Sequence, residues 1–254
     1  MKNLVVANWK MNLDISQSVN TVLDIIKQTK KYLEKNDLVI CPSYLAIPEV
    51  REALANTSVE IGAQNCSWEE EGALTGEVSP KVLQKYCQYI ILGHSERRMY
   101  LYETSDIIAR KIDLVTNLGI KPIVCIGETQ EEHDRGDISR IIYEVGKAFS
   151  LVEKEKASDV VIAYEPIWAI STSVSHTDNK VTCDYAGRIA QKIREEISRI
   201  YNQDIAKKIR IIYGGSVNSK NIELLHCQPD IQGYLIGSAS LDPLEMKKIF
   251  ESIS

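Results

Sequence analysis

The chain has 254 residues, of which 44% are apolar and 26% charged, and its formal net charge is -5 at pH 7. This composition is typical of a globular protein with a substantial core, and no apolar run approaches the roughly 20 residues that a membrane helix needs. The acidic balance weakly disfavours nucleic acid, although a small anionic ligand needs only a local positive field. We therefore expect neither a membrane span nor a nucleic-acid partner.

The start of the chain and its cysteines predict a cytoplasmic protein. Residues 1–10 have too few apolar positions for a signal-peptide core. The six cysteines lie far apart with no Cys-x-x-Cys pair, which argues against a zinc site or a thioredoxin-like motif. We expect reduced thiols that pack as small hydrophobic side chains.

Short β-branched runs alternate with longer amphipathic segments along the whole chain, which predicts repeated βα units and a parallel sheet. The eight predicted strands span residues 4–8, 38–41, 59–64, 89–92, 120–126, 160–164, 209–213 and 231–236. Apolar residues recur at helical spacing within 189–200 and 108–115. Eight units without a composition break predict an α/β fold, a single (β/α)8 barrel domain over residues 1–254. The first turn lacks glycine, which disfavours a doubly wound sheet.

In such a barrel the working residues collect at the carboxyl ends of the strands, and the unusual polar residues of this chain fall there. Asn8 and Lys10 follow the first predicted strand, His94 and its charged neighbours follow the fourth, and Glu165 follows the sixth. Glycine-containing turns at 214–216 and 237–238 follow the last two strands. Their backbone N–H groups can approach a phosphate closely.

Each of these features also has a structural explanation. Lys10 could be an ordinary surface lysine, His94 could satisfy local backbone groups, and Glu165 could belong to an ion pair. The glycines could simply supply positive φ in turns. The acidic runs 69–71 and 131–134 lack a ligand-spaced partner, so we expect solvated surface there and no metal site.

Eight segments of the chain, taken in order, resemble the triosephosphate isomerase family, and the resemblance runs from Asn8 to Leu241. The matching segments are 7–10, 62–66, 72–79, 93–98, 125–129, 164–170, 213–217 and 237–241. The resemblance implies an isomerase of glycolysis and gluconeogenesis that interconverts dihydroxyacetone phosphate and D-glyceraldehyde 3-phosphate through an enediol or enediolate. It also implies that no cofactor or metal takes part.

The resemblance further assigns the chemistry to particular residues. Glu165 is the base that moves a proton between adjacent carbons, and neutral His94 polarises the carbonyl and transfers protons between the two oxygens. Lys10 supplies fixed positive charge, Asn8 is an added donor, and Glu96 supports the histidine motif near Lys10. The substrate phosphate is expected against backbone N–H groups at Ser171, Ser216, Gly237 and Ser238.

The resemblance also implies a lid, formed by Pro166, Ile167, Trp168, Ala169, Ile170, Ser171, Thr172 and Ser173. Serine stands at 171 and 173 where the family has glycine. A non-glycine residue held at positive φ costs about 1–2 kcal/mol, enough to shift an open–closed balance. Ser238 replaces the second glycine of a family pair, and it either donates a hydrogen bond to the phosphate or crowds it.

The long loop 64–79 implies a homodimer, because in this family it inserts into a partner subunit. Thr75 and Gly76 lie near its tip, and Glu77 and Arg98 are expected to help hold it.

Two other functions remain alternatives at this point. The lid substitutions suit a catalytically weakened barrel that acts as a binding or interaction protein. A different barrel enzyme, acting on another phosphorylated sugar or indole precursor, would share the two glycine turns but not the histidine motif.

Overall fold

The protein forms a closed eight-stranded barrel, seen in a computed structural model that describes residues 1–169 and 182–254. Neighbouring strands pair in parallel in sequence order, and the first pairs with the last to close the barrel. The strands are β1 (Asn3–Asn8), β2 (Asn36–Cys41), β3 (Glu60–Ala63), β4 (Tyr89–Leu92), β5 (Lys121–Ile126), β6 (Val161–Tyr164), β7 (Ile211–Tyr213) and β8 (Gly233–Ile236). The predicted strands and the α/β barrel are confirmed.

Helices follow the strands and cover the outside of the barrel. In the described ranges they are α1 (Ile15–Thr29), α2 (Ile47–Ala53), α3 (Pro80–Leu83), α4 (Ser95–Tyr100), α5 (Ser105–Asn117), α6 (Gln130–Asp134), α7 (Ser139–Phe149), α8 (Cys183–Ile200), α9 (Gln203–Lys208), α10 (Ile222–Leu225) and α11 (Pro243–Ser252). Side-chain caps fix where several begin. Asp14 and Gln17 form a capping box at α1, and Thr104 caps α5.

Two apolar layers hold these elements together. Inside the barrel lie twelve buried residues: Leu4, Val6, Val39, Cys41, Tyr89, Ile91, Ile123, Cys125, Val161, Ala163, Ile212 and Leu235. The second layer packs between strands and helices, and there the predicted stripe of α8 is buried at Ile189, Ile193 and Ile197. Each such side chain contributes about 1.5–3 kcal/mol on burial. The filled interior leaves the ends of the strands to carry polar groups.

A buried ion pair fixes α5 beneath the long loop 64–79. Lys111 is only 1% exposed, and its ammonium group contacts Glu103 and donates to Asn65 Oδ1 at 2.8 Å. Arg97 Nε donates to the second oxygen of Glu103 at 3.3 Å. A buried charge needs such partners because water cannot solvate it. The base of the loop is thereby tied to the helices beside it.

The prediction that all six cysteines are free thiols is wrong for two of them. Cys183 and Cys227 are joined by a disulfide, whereas Cys41, Cys66, Cys87 and Cys125 are free and buried. The sequence could not show this pairing, because the two residues are 44 positions apart and the fold brings them together. Within the described ranges, no helix is long and apolar enough to cross a membrane.

Candidate active site

A cleft opens at the carboxyl ends of the strands. Its lining residues are Asn8, Lys10, His94, Glu165, Gly214, Gly215, Ser216, Val217, Leu235, Gly237 and Ser238. The structure thus brings together the predicted site residues that follow strands β1, β4, β6, β7 and β8. Glu96 joins them through Lys10, and Ser171 lies outside the described residues.

Lys10 is held in an unusual backbone conformation, with φ of 52°. A side chain in this left-handed region costs about 1–2 kcal/mol, so surrounding contacts must impose it. Two of them are visible: the Lys10 N–H donates to Asn8 Oδ1 at 3.1 Å, and Gln64 Nε2 donates to the Lys10 carbonyl at 2.7 Å. The Lys10 ammonium group donates to Glu96 Oε1 at 2.5 Å. The strained turn after β1 therefore aims a cation into the cleft.

His94 caps the short helix α4, and this fixes which ring nitrogen carries a proton. The backbone N–H of Glu96 donates to His94 Nδ1 at 3.3 Å. A nitrogen that accepts a hydrogen bond has no proton, so the neutral ring is protonated at Nε2. His94 is 6% exposed, and its Nε2 lies 3.3 Å from Glu165 Oε1. The imidazole thus presents an N–H donor towards the cleft.

Glu165 is the most deeply buried carboxylate lining the cleft, with 2% of its surface exposed. Its Oε1 faces His94 Nε2, and its Oε2 accepts the Ser95 N–H at 3.4 Å. Space for the side chain comes from Gly214, where an added Cβ would lie 2.7 Å from Glu165 Cγ. Among the described residues, Glu165 has two long donor contacts and no lysine or arginine in an ion pair with it, so its carboxylate is available for proton transfer.

Cys125 lies beneath Glu165 in the barrel interior. Burial first, and the Glu165 carboxylate second, raise the pKa of the Cys125 thiol well above its ordinary value. The sulfur is therefore a neutral thiol at physiological pH and adds no second negative charge below Glu165.

Both glycine turns line the cleft, the turn at Gly214 against Glu165 and the turn at Gly237 next to Lys10. An added Cβ on Gly237 would lie 3.8 Å from Lys10 Cε. The Ser240 hydroxyl donates to the Gly237 carbonyl at 2.6 Å, and Asn221 Nδ2 donates to the Ser216 carbonyl at 2.7 Å. Both turns are thus held by side chains on the following segments, while the Ser238 side chain is exposed to the cleft.

Glu128 helps to form the site, although its sequence segment, 125–129, was noted without a role for this residue. It is fully buried, and its Oε1 accepts hydrogen bonds from Tyr164 at 2.8 Å, Trp168 at 2.9 Å and Tyr185 at 3.1 Å. It therefore connects the end of β6, the turn after Glu165 and the start of α8. Its position just after β5 was a usable signal, since a carboxylate that follows a buried strand also marks Glu165.

The prediction that residues 131–134 are solvated surface is wrong for His133. Its ring stacks on Trp168 with centroids 4.0 Å apart and meets the edge of Tyr185 at 4.6 Å. Glu132 also has a structural task, because it completes a capping box with Thr129 at the start of α6. The indole of Trp168 is consequently held by this stacking on His133 and by its hydrogen bond to Glu128.

Of the residues predicted to form a lid, the structure describes the first four. Pro166 follows Glu165 directly, and residues Ile167–Ala169 form a 3-10 turn whose Trp168 side chain is buried. Ile170, Ser171, Thr172 and Ser173 lie outside the described residues.

The predicted dimer residues divide into two groups. Thr75, Gly76 and Glu77 are exposed on the loop 64–79, which is closed by the Ser67 N–H donating to the Val78 carbonyl at 2.8 Å. Arg98 lies instead between the ends of β4 and β5 and the surrounding helices, where it donates to the carbonyls of Gly93 at 2.8 Å and Cys125 at 3.0 Å and to the Ser105 hydroxyl at 3.1 Å. Its Nη1 also lies 3.4 Å from Glu144. Within this chain Arg98 braces α4 and β5.

The fold and the site together define a (β/α)8-barrel enzyme in which Glu165 and His94 face each other in a cleft lined by two glycine turns. The family model described as triosephosphate isomerase matches residues 3–253. Relatives named triosephosphate isomerase are similar along their full length: one from Dictyoglomus turgidum is 40% identical and one from Dictyoglomus thermophilum is 41% identical, each over 99% of both chains. A third, from Carboxydothermus hydrogenoformans, is 42% identical over 94% of both chains. The chain belongs to the triosephosphate isomerase family.

Proposed function

We propose that this protein interconverts dihydroxyacetone phosphate and D-glyceraldehyde 3-phosphate by proton transfer through an enediol or enediolate. The observation that carries the proposal is the pairing of Glu165 with His94, whose facing atoms are 3.3 Å apart at the end of the barrel. One group accepts a proton and the other donates one. The family membership of the whole chain supports the same reaction.

In the proposed mechanism Glu165 removes a proton from the carbon beside the substrate carbonyl. His94 Nε2–H donates to the carbonyl oxygen, so that negative charge does not build up there uncompensated. Glu165 then returns the proton to the neighbouring carbon, and the hydroxyl protons are redistributed through His94. Substrate and product have the same formula, so the reaction is redox-neutral.

Lys10, Asn8 and Glu96 prepare the electrostatic field of the cleft. Lys10 supplies the positive charge, and its contact with Glu96 Oε1 at 2.5 Å sets the position of the ammonium group. The N–H of Glu96 fixes the tautomer of His94, so one residue orients both partners. Asn8 supports the strained turn at Lys10 by accepting its backbone N–H. Preorganised groups of this kind do not have to reorient during the reaction.

We place the substrate phosphate against Ser216, Gly237 and Ser238, and against Ser171 of the proposed lid. The exposed turn at Gly237 next to Lys10 supports this position. The N–H of Ser216 already donates to the Ala169 carbonyl at 3.2 Å, so a phosphate at Ser216 would replace that carbonyl as the acceptor.

A coupled assay of the purified protein with D-glyceraldehyde 3-phosphate tests the reaction. We expect Glu165→Gln to lower kcat by about 10²- to 10⁴-fold, the usual contribution of a positioned base. Glu131→Gln is the matched control, because Glu131 is exposed and pairs with Arg135 on the surface. Turnover by the unmodified protein that is no better than that of Glu165→Gln would disprove the isomerase function. No described contact and no relative favours the alternative of a binding protein.

We also propose that two copies of the chain form a homodimer through the loop 64–79. Apolar side chains around it support this, because Leu45 is 78% exposed next to Tyr44, whose hydroxyl donates to the Asn65 carbonyl at 2.7 Å. Val82, just after the loop, is exposed as well. Exposed apolar surface of this kind marks contact sites. A cytoplasmic location is proposed from the reaction itself.

Sedimentation equilibrium tests the dimer. We expect twice the chain mass of 28.6 kDa, and a shift towards one chain mass for Thr75→Arg, which puts a charge at the exposed tip. A single chain mass for the unmodified protein at all concentrations would contradict the proposal.

A further inference from the structure

The disulfide between Cys183 and Cys227 joins two parts of the fold at the surface. Cys183 is the first residue of α8, and Cys227 follows α10 in the connection to β8. The Cys227 side chain is exposed and that of Cys183 is partly exposed. Thiol–disulfide exchange requires a thiolate to reach one of the sulfurs, and here Cys227 is within reach of solvent.

The other four cysteines are poorly suited to take part in such an exchange. All four are buried. Burial raises the pKa of Cys66 and of Cys87 to about 12, and it raises those of Cys41 and Cys125 well above the ordinary thiol value. At neutral pH these groups are thiols without a thiolate fraction that could attack a disulfide. Exchange is therefore confined to the exposed pair.

Helix α8 is attached to the connection before β8 at two separate places. The first is the disulfide. Beside it Gln228 packs closely on Gly187, since a Cβ added to Gly187 would lie 2.0 Å from Gln228 Oε1. The second lies further along the helix, where Arg194 donates to Asp230 Oδ1 at 2.5 Å and to Gln232 Oε1 at 3.1 Å. Opening the disulfide would remove the covalent link at the first place, where only the packing of Gln228 would remain among the described contacts, and would leave the second place unchanged.

The first attachment lies next to the Glu128 contacts. Tyr185, two residues after Cys183, donates to Glu128 Oε1 at 3.1 Å. The same oxygen accepts the Trp168 N–H at 2.9 Å. The order of the first turn of α8 is therefore physically connected to the turn that follows Glu165.

We propose that Cys183 and Cys227 form a reversible thiol–disulfide site, opened by low-molecular-weight thiols and closed by their disulfides, that controls the order of the first turn of α8. In the opening reaction a thiolate such as glutathione attacks Cys227 Sγ, the bond between the two protein sulfurs breaks, and Cys183 leaves as a thiolate that takes up a proton. The N–H groups at the start of α8 stabilise that thiolate. A second glutathione thiolate attacks the glutathione sulfur of the mixed disulfide, which releases Cys227 and one glutathione disulfide.

The first experiment maps the disulfide in the full chain equilibrated in glutathione buffers of graded ratio. Free thiols are trapped at neutral pH without denaturant by an excess of N-ethylmaleimide, and peptides are then identified by mass spectrometry. We expect a cross-linked peptide containing Cys183 and Cys227 that disappears and reappears reversibly, while the four buried thiols stay unmodified. Absence of that cross-link at every ratio, or glutathione attached to Cys227 with no cross-link, overturns the proposal.

The second experiment measures hydrogen exchange in the oxidised protein, in the reduced protein and in the double variant Cys183→Ser, Cys227→Ser. We expect amides 186–189 to exchange roughly tenfold faster when the disulfide is open, since local unfolding of a helix end becomes easier. Amides 194–200 should be unchanged, because Arg194 keeps its contacts. Equal exchange at 186–189 in all three proteins would show that the disulfide does not control the turn. Neither measurement depends on the proposed isomerase activity.

Discussion

Replacing Tyr185 by Phe removes one of the three hydrogen bonds that the described residues donate to the buried carboxylate of Glu128. The Tyr185 hydroxyl lies 3.1 Å from Glu128 Oε1, whereas the donors of Tyr164 and Trp168 lie at 2.8 and 2.9 Å. Burial, and after it the Glu128 carboxylate, raises the pKa of Tyr185 well above its ordinary value, so its hydroxyl is a donor throughout the accessible pH range. The variant therefore removes one hydrogen-bond donor from the Glu128 carboxylate, which water does not reach.

The size of the effect follows from this geometry. A hydrogen bond to a charged group contributes about 1.5–3 kcal/mol. The carboxylate keeps two shorter bonds, and Tyr185 is only partly buried, so we expect the lower end, a loss of about 1.5 kcal/mol in the free energy of unfolding. For a chain of this length that loss corresponds to a fall of about 3–6 °C in Tm.

The assay is urea and thermal unfolding at one fixed protein concentration, because association would otherwise change the apparent stability. Tyr143→Phe is the matched control, since Tyr143 is exposed on α7 and its hydroxyl is free to bond to water. We expect the control to change Tm by less than about 1 °C, as surface substitutions usually do. If Tyr185→Phe were no less stable than Tyr143→Phe, the hydrogen bond from Tyr185 to Glu128 would not stabilise the fold in the way proposed.

Three further predictions concern Ser238 beside the proposed phosphate position, the Glu245 carboxylate on α11 and the buried pair of Lys111 and Glu103. A Ser238 hydroxyl that donates to the phosphate is lost in both Ser238→Ala and Ser238→Gly. Both variants should then raise KM for D-glyceraldehyde 3-phosphate about tenfold, equal to ~1.4 kcal/mol, at unchanged kcat. A lower KM for the Gly variant would instead show that the serine side chain crowds the phosphate. The Ser219 N–H, which donates to Glu245 Oε1 at 2.7 Å, lowers the pKa of that carboxyl below its ordinary 4.5. Glu245 therefore contributes stability above pH 4.5 that is lost as the pH falls through the lower folded-state pKa. Urea unfolding of Glu245→Gln should show a deficit in unfolding free energy below about 1 kcal/mol at pH 7 that shrinks as the pH falls below 4.5, and a deficit of unchanged size in acid would contradict this. Lys111→Met removes one of the two cations that contact the buried carboxylate of Glu103 among the described residues and leaves it the weaker contact with Arg97 at 3.3 Å. The variant should lose about 3 kcal/mol of unfolding free energy in urea, with much of it recovered when Glu103 is also replaced by Met; a larger loss in the double variant would refute the pairing.

Much of the fold was predictable from the sequence because parallel strands and their covering helices are local patterns. Eight apolar runs of strand length, separated by helical spacing as in 189–200, specify both the elements and their order. The candidate site followed from the same pattern. Once strands run in parallel around a barrel, polar residues at their carboxyl ends must meet, which is why Lys10, His94 and Glu165 were found as a group.

The remaining features depend on pairs that are distant in sequence. Nothing local in Glu128 shows that Tyr164, Trp168 and Tyr185 surround it, and nothing local in Cys183 points to a cysteine 44 residues later. The tautomer of His94 and the left-handed backbone of Lys10 likewise follow from donors that the fold supplies. The sequence by itself determined the βα order and the kinds of chemical group at the strand ends. Only the tertiary structure decided which atoms face each other, since hydrogen bonds and disulfides depend on distances of a few ångströms that sequence spacing does not set.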